Sequence, residues 1–216
     1  MERQKIKNPK TGRMVFINTK LGKQIQKENK AAIIIQKALK LFKKQSLKKE
    51  KFKILQFYSK SKDSDDINCG YKNWRKILSN FHETENGIVY NGHKYKSIEA
   101  IYQGMKFEKT NLEYSLLFKN FNSLTAKKMG GKTETKKRKV VFDSTNWNKI
   151  ALDKMKLCVD MRYNQDPIYK HIISVLSKTN MYILHFSRMD MYWGGKVKDN
   201  KVEGQNMLGK IIMKKY

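Results

Sequence analysis

The run Ile88-Val89-Tyr90, then Asn91-Gly92, then His93-Lys94-Tyr95, leads at once into Ser97 and a helical apolar rhythm. Asn-Gly supplies the positive φ angles of a two-residue turn, so the flanking residues read as a β-hairpin. Ser97 offers a hydroxyl to cap a helix whose apolar face is Ile98, Ile101, Tyr102, Met105 and Phe107. Helical patterns recur at residues 111–121, 148–164 and 167–178, and Tyr182-Ile183-Leu184-His185-Phe186 suits a buried strand. The expected fold class is α+β, a predominantly helical single domain with a small β-hairpin or sheet.

Composition changes along the chain. Lys and Arg dominate the first sixty residues, and Asp63, Ser64, Asp65, Asp66, Asn68 and Gly70 then form a polar, turn-rich stretch. This predicts a basic extension over 1–60, a linker over 61–71 and a folded domain over 72–216. Within the extension, Asn8-Pro9-Lys10-Thr11-Gly12-Arg13 reads as a tight turn and resembles a short adaptor element of large DNA viruses. Residues 31–42 place Ile34, Ile35, Ala38, Leu41 and Phe42 on one helical face and lysines on the other. Such a basic amphipathic helix suits an acidic partner, a membrane surface, a calmodulin-like protein or a loose dock on its own domain.

A net charge of +28 is extreme for 216 residues and points to an anionic partner: nucleic acid, a phosphorylated small molecule or a membrane surface. A solvated lysine-rich surface accounts for the same number. Two prolines and 11% aromatics argue against disorder over most of the length. Cys69 and Cys158 stand far apart without metal-type spacing, which suits two free thiols in a reducing compartment. No apolar stretch reaches the roughly 20 residues of a spanning helix, and the start lacks a signal-peptide apolar region. The expectation is a soluble, intracellular protein, in host cytoplasm or virion if viral.

Two segments carry the residue types of a binding pocket. Asp190-Met191-Tyr192-Trp193-Gly194-Gly195, with Gly204-Gln205-Asn206-Met207-Leu208-Gly209 after it, combines an acid, an indole, glycines and an amide in one loop-rich region. Glycines let backbone approach a ligand, Trp193 can stack on a planar ring, and Asp190 can sit beside developing positive charge. On the Ser97 helix, Glu99, Gln103 and Lys106 fall at i, i+4 and i+7 and form one stripe. Each has a plainer reading: a solvated Glu-to-Lys stripe, a turn acid at 190, an N-cap at Asn206, a core anchor at Trp147. His82, His93, His171 and His185 show no metal spacing, and His185 reads as a satisfied core residue. No P-loop, Rossmann fingerprint or Ser-His-Asp order is present.

Taken in order, the pieces resemble the YbiA/NADAR family. Leu78-Ser79-Asn80-Phe81 opens the match, and the stretch from Gly92 to Phe107 carries its central signature. Ala126-Lys127-Lys128-Met129-Gly130, Trp147 with Met155, Arg162-Tyr163-Asn164-Gln165 and Thr179 follow. Asp190-x-x-Trp193-Gly194, Gly204-x-Asn206-x-Leu208-Gly209 and Met213 close it. Three positions depart from the pattern: Ala100 where His is usual, Gly131 where Arg is common and His185 where Glu is frequent. The departures at Gly131 and His185 bear on phosphate contacts and substrate choice more than on the chemistry.

The resemblance implies an N-glycosidase that hydrolyses the bond between ribose C1′ and a base nitrogen. Its substrates would be phosphoribosylamino-pyrimidine intermediates of riboflavin synthesis or a related ADP-ribosyl or ribosyl-base compound. It places Glu99 as first catalytic candidate and Asp190 as second, Trp147 or Trp193 on the departing base, Asn80 and Asn206 on ribose or base edges, and Gln103 and Lys106 in the substrate site, with Lys106 meeting a phosphate. No metal or redox cofactor is called for. The implied partner is a phosphorylated ribosyl small molecule, with nucleic acid on the basic arm. The competing expectation is a non-catalytic module that holds an ADP-ribose-like ligand or nucleic acid.

Overall fold

The computed structural model describes residues 4–29, except 22 and 28, and residues 53–216. It divides into two compact units, Met1–Lys51 and Phe52–Tyr216. In the first, β1 (Lys5–Lys7) pairs antiparallel with β2 (Met14–Phe16), Lys5 opposite Phe16. The connection is the expected tight turn: Gly12 takes φ 71° and donates its N–H to the Asn8 carbonyl at 2.8 Å. The amphipathic helix expected over 31–42 lies outside the described residues.

The second unit begins earlier than composition suggested. β3 (Lys53–Phe57) runs parallel to β6 (Met181–His185), with Leu55 opposite Ile183 and Phe57 opposite His185. Leu55, Phe57 and, beyond them, Ile67 and Cys69 are core residues. The acidic stretch expected to be a linker is instead a folded loop. Asp66 accepts from the Trp74 indole at 3.2 Å and pairs with Arg75, fastening the short helix α1 (Trp74–Ile77). The folded unit therefore starts at β3, about one strand and one loop before residue 72.

The Asn-Gly hairpin forms as expected. β4 (Ile88–Tyr90) and β5 (His93–Tyr95) pair around Asn91 and Gly92, whose φ angles are 47° and 75°. The Gln165 side chain accepts from Val89 N–H at 2.7 Å and donates to its carbonyl at 3.0 Å, standing in for a third strand.

Helix α2 (Ile98–Met105) is capped by Ser97, whose hydroxyl accepts from Ala100 N–H at 3.2 Å. Every residue from Ile98 to Met105 is buried, so α2 is the central element of the domain. Against it pack α3 (Leu112–Leu117), α4 (Ser123–Met129) and the 22-residue α6 (Ser144–Gln165), while α5 (Lys132–Lys137) rests on α4 and α7 (Pro167–Ser177) on α6. Asn111, Asn122, Asp143 and Asp166 cap α3, α4, α6 and α7 through their side chains, and Pro167 fits the first turn of α7, where no N–H is needed. Between β6 and the last helix, α8 (Met207–Met213), a second hairpin forms from β7 (Lys196–Lys198) and β8 (Lys201–Glu203). The result is α+β and mainly helical. Among the described residues no helix is long and apolar enough to cross a membrane.

Two buried polar side chains join elements distant in sequence. Arg162, fully buried on α6, pairs with Asp166 at 3.0 Å, donates to the Ser79 carbonyl at 2.9 Å and lies 4.2 Å over the Tyr169 ring. Asn206, also fully buried, accepts from His185 N–H at 2.9 Å and donates to the Ile183 carbonyl at 2.8 Å and the Tyr182 hydroxyl at 3.0 Å. It sits at the start of α8 with φ 50° and makes no side-chain cap, so its role is to lock α8 to β6. Gly209 permits the same approach: a Cβ there would lie 2.5 Å from the Ile183 carbonyl oxygen. Replacing Asn206 with Ala strands the His185 N–H and Ile183 carbonyl. The expected loss is about 3 kcal/mol. Urea unfolding at unchanged m checks it, and a loss within error of zero contradicts this role.

Candidate functional site

A cavity of about 220 Å³ opens between α2, α6 and the loop after β6, lined by Asn80, Phe81, Glu99, Tyr102, Gln103, Lys106, Lys127, Trp147, Met155, His185, Asp190, Trp193 and Leu208. Every sequence candidate lines it except Asn206. That residue faces away because all its polar atoms are consumed by β6. It is therefore a bracing residue and not a ligand contact.

The stripe on α2 is not a solvated one. Glu99 and Gln103 are each 4% exposed, and burial obliges their polar atoms to find partners. The Gln103 amide donates to Glu99 Oε1 at 2.8 Å, and its carbonyl oxygen accepts from Lys106 Nζ at 2.5 Å. The unlike partners fix the amide orientation, because only its nitrogen can donate to a carboxylate and only its oxygen can accept from an ammonium. Lys106 also donates to the Gly130 carbonyl at 3.2 Å, which leaves one of its three protons for a ligand. Burial pulls the Lys106 pKa down to about 8, against the opposing influence of Glu99. Lys127, on α4, brings a second cation to 3.9 Å from Glu99 Oε1. One carboxylate oxygen is thus held, and Oε2 has no hydrogen-bond partner among the described residues.

Aromatic rings complete the wall beside it. Tyr102 meets Trp147 edge-to-face at 5.1 Å between centroids and Trp193 at 5.8 Å. Burial pushes the Tyr102 phenol above its usual range and keeps it neutral. Both indoles are at once packing groups and cavity walls, so the two readings open at the sequence level hold together. Asn80 lies at the end of the chain Asp166–Arg162–Ser79, its side-chain amide nitrogen 3.4 Å from Met155 Sδ and its backbone carbonyl accepting Glu99 N–H at 3.1 Å. Its Oδ1 is buried with no partner, an acceptor awaiting a donor.

Asp190 accepts from Trp193 N–H at 2.9 Å and Tyr192 N–H at 3.2 Å through Oδ1, and its own N–H donates to the Ser187 hydroxyl at 2.8 Å. It is both the turn residue and a cavity residue. His185, expected to be a satisfied core group, is neither satisfied nor wholly core. It lines the cavity, and its Nδ1 has no partner. Burial lowers its pKa, with the Asp190 charge among the opposing influences, which favours neutral imidazole. Phe81, Tyr102, Lys127, Met155 and Leu208 were not singled out by chemistry. All five sit among the signature residues without a role of their own, and Tyr102 stands beside Glu99 on α2. Among the described residues no three His, Cys, Asp or Glu side chains converge as a metal site.

Comparison with known proteins agrees with this architecture. The NADAR domain matches residues 56–215. The fold is similar to the NMR structure of the E. coli protein YbiA, at TM-score 0.55 and 20% identity, covering 76% of this chain and 82% of that one. At that identity the likeness concerns the fold alone. No curated protein matches the sequence. The family match spans the second unit from β3 to α8, including every cavity residue, and at family level it carries an N-glycosidase-like function. The chain belongs to the NADAR domain family.

Proposed function

We propose that this protein hydrolyses the bond between ribose C1′ and a base nitrogen, in a phosphoribosylamino-pyrimidine or a related ADP-ribosyl or ribosyl-base compound. The observation that carries the proposal is Glu99: a carboxylate 4% exposed, clamped at Oε1 by Gln103, in the lining of a partly aromatic cavity. As the C1′–N bond breaks, its electron pair leaves with the base and positive charge spreads over the ribose ring. A fixed carboxylate in a dry site stabilises that charge more than water does, since it needs no reorganisation. Water adds its oxygen to C1′ and gives up a proton, and the base nitrogen gains one. Oε2 of Glu99 aligns this water, with Asp190 across the cavity as the second acid. Asn80 Oδ1 accepts from a ribose hydroxyl, Trp147 and Trp193 flank the ring region, and Lys106 meets a phosphate.

Glu99→Gln preserves the hydrogen bond to Gln103 but removes the charge. Turnover should fall by about 10³-fold, with the melting temperature nearly unchanged. Incubation with phosphoribosylamino-pyrimidine and with ADP-ribosylated nucleic acid, followed by mass spectrometry of released base and sugar, reads the effect. Retained turnover removes Glu99 from the mechanism.

The Lys106 pKa sets a pH dependence. Below about 8 the ammonium is charged and attracts phosphate, and above it the charge is lost. Hence kcat/KM, which reports the free enzyme, should decline as pH rises through about 8. Lys106→Gln should be weaker throughout and lack that decline. A wild-type profile flat across this range contradicts the phosphate contact.

A second reading, a nucleic-acid-binding module, is favoured by one surface. Lys127, Lys128, Lys132, Lys136, Lys137, Arg138 and Lys139 are all exposed on and just after α4 and α5, with Glu134 the sole acid among residues 127–139. Paired Lys136→Glu and Lys137→Glu changes in the full chain should abolish salt-sensitive DNA binding if this surface is the contact. Unaltered DNA binding removes it.

A further inference from the structure

A cavity of about 220 Å³ is smaller than the roughly 300–1,000 Å³ of sites that enclose a whole drug-sized ligand. It holds a sugar ring, so the base must lie at the mouth. An aromatic chain leads there. Trp147, Tyr102, Trp193 and Tyr192 contact one another edge-to-face in that order, at 5.1, 5.8 and 5.0 Å between centroids. Trp147 is buried, whereas Tyr192 is 40% exposed and Met189, nearby in the same loop, is 92% exposed. Tyr192 meets the ring of the cavity residue Trp193, and Met189 immediately precedes the cavity residue Asp190 in the same loop.

This apolar tip is not a slack loop. Asp190 Oδ1 holds the N–H groups of Tyr192 and Trp193, and Ser187 holds that of Asp190. The Met191 carbonyl accepts from Gln205 N–H at 2.6 Å and the Tyr192 carbonyl from Met207 N–H at 3.0 Å, so the segment leading into α8 pins the loop from behind. With the backbone of Asp190 to Trp193 fixed, the Tyr192 ring has less conformational entropy to lose on binding than one on a slack loop. The solvent-facing ring continues the cavity's own wall, and a planar heteroaromatic ring fits it by stacking.

We propose that Tyr192, with Met189 beside it, is the platform for the aglycone: a specificity-determining pair that takes the planar base outside the sugar cavity. The inference rests on the glycosidase reading for its placement of the sugar. Neither residue touches C1′, so their effect falls on binding of the base.

Isothermal titration of the full chain with ribose 5-phosphate, adenosine 5′-monophosphate and adenine tests this. Tyr192→Ala should weaken adenosine 5′-monophosphate by about tenfold, the size of one base-stacking contact. Ribose 5-phosphate should bind as to wild type, and Tyr192→Phe should restore nucleotide affinity because the ring and not the hydroxyl is used. Met189→Ser should show a smaller loss with the same selectivity. Unchanged nucleotide affinity in Tyr192→Ala, or an equal loss for ribose 5-phosphate, overturns the platform. Wild-type protein that binds the nucleotide in a Tyr192-dependent way but not ribose 5-phosphate supports the platform and overturns the sugar pocket. Failure of all three ligands overturns both.

Discussion

Helix α2 has no exposed residue, and that single constraint organises the domain. A helix of this kind normally consists of apolar residues, yet Glu99 and Gln103 lie on it. Their burial carries a desolvation cost that only internal partners offset. Gln103 supplies the solution by bridging the Glu99 carboxylate to the Lys106 ammonium, so one neutral amide satisfies two opposite charges. The neighbours yield to this chain. Gly130 has no Cβ, and one there would fall 2.0 Å from Gln103 Oε1, inside any allowed contact. The polar core of the site thus depends on what is missing from the facing helix as much as on what is present.

The remaining half of the cavity comes from the C-terminal part of the domain, and two buried side chains bring the halves to fixed positions. Arg162 connects α6 to Ser79 and hence to Asn80. Asn206 connects α8 to β6 and hence to His185. Neither side chain reaches the ligand space, but both hold residues that do. Burial lowers the Arg162 pKa, with Tyr169 and Asp166 working against it, and the guanidinium, too basic to lose its proton, remains a fixed charge.

Much of this was legible in the sequence where a local signal sufficed. Asn91-Gly92 fixed a hairpin, Ser97 a helix start, and the long apolar periods of α6 and α7 were plain. What escaped depended on distant partners. β3 is a five-residue strand at the end of a lysine-rich stretch, and its pairing partner lies more than a hundred residues away, so composition masked it. α4 and α5 are short and lysine-rich, and their existence owes more to packing and caps than to propensity. Periodicity placed Glu99, Gln103 and Lys106 on one stripe but could not say which way it faced. Asn206 looked like a ligand residue because an amide among glycines is a common binding signal. Here the glycines serve close backbone packing, and the amide is spent on a strand.

The Gln165 side chain paired with both polar groups of Val89 has a meaning for how this domain behaves in a crowded cell. A two-stranded hairpin leaves free edges, and Val89 is an apolar residue 50% exposed on one of them. Such an edge is a template on which another extended chain can add itself. By occupying its N–H and carbonyl with a primary amide that ends the pattern, the protein closes the edge without adding a strand. The helix carrying Gln165 thereby acts as a stopper against self-association, and the hairpin stays a turn of architecture instead of a seed for a growing sheet.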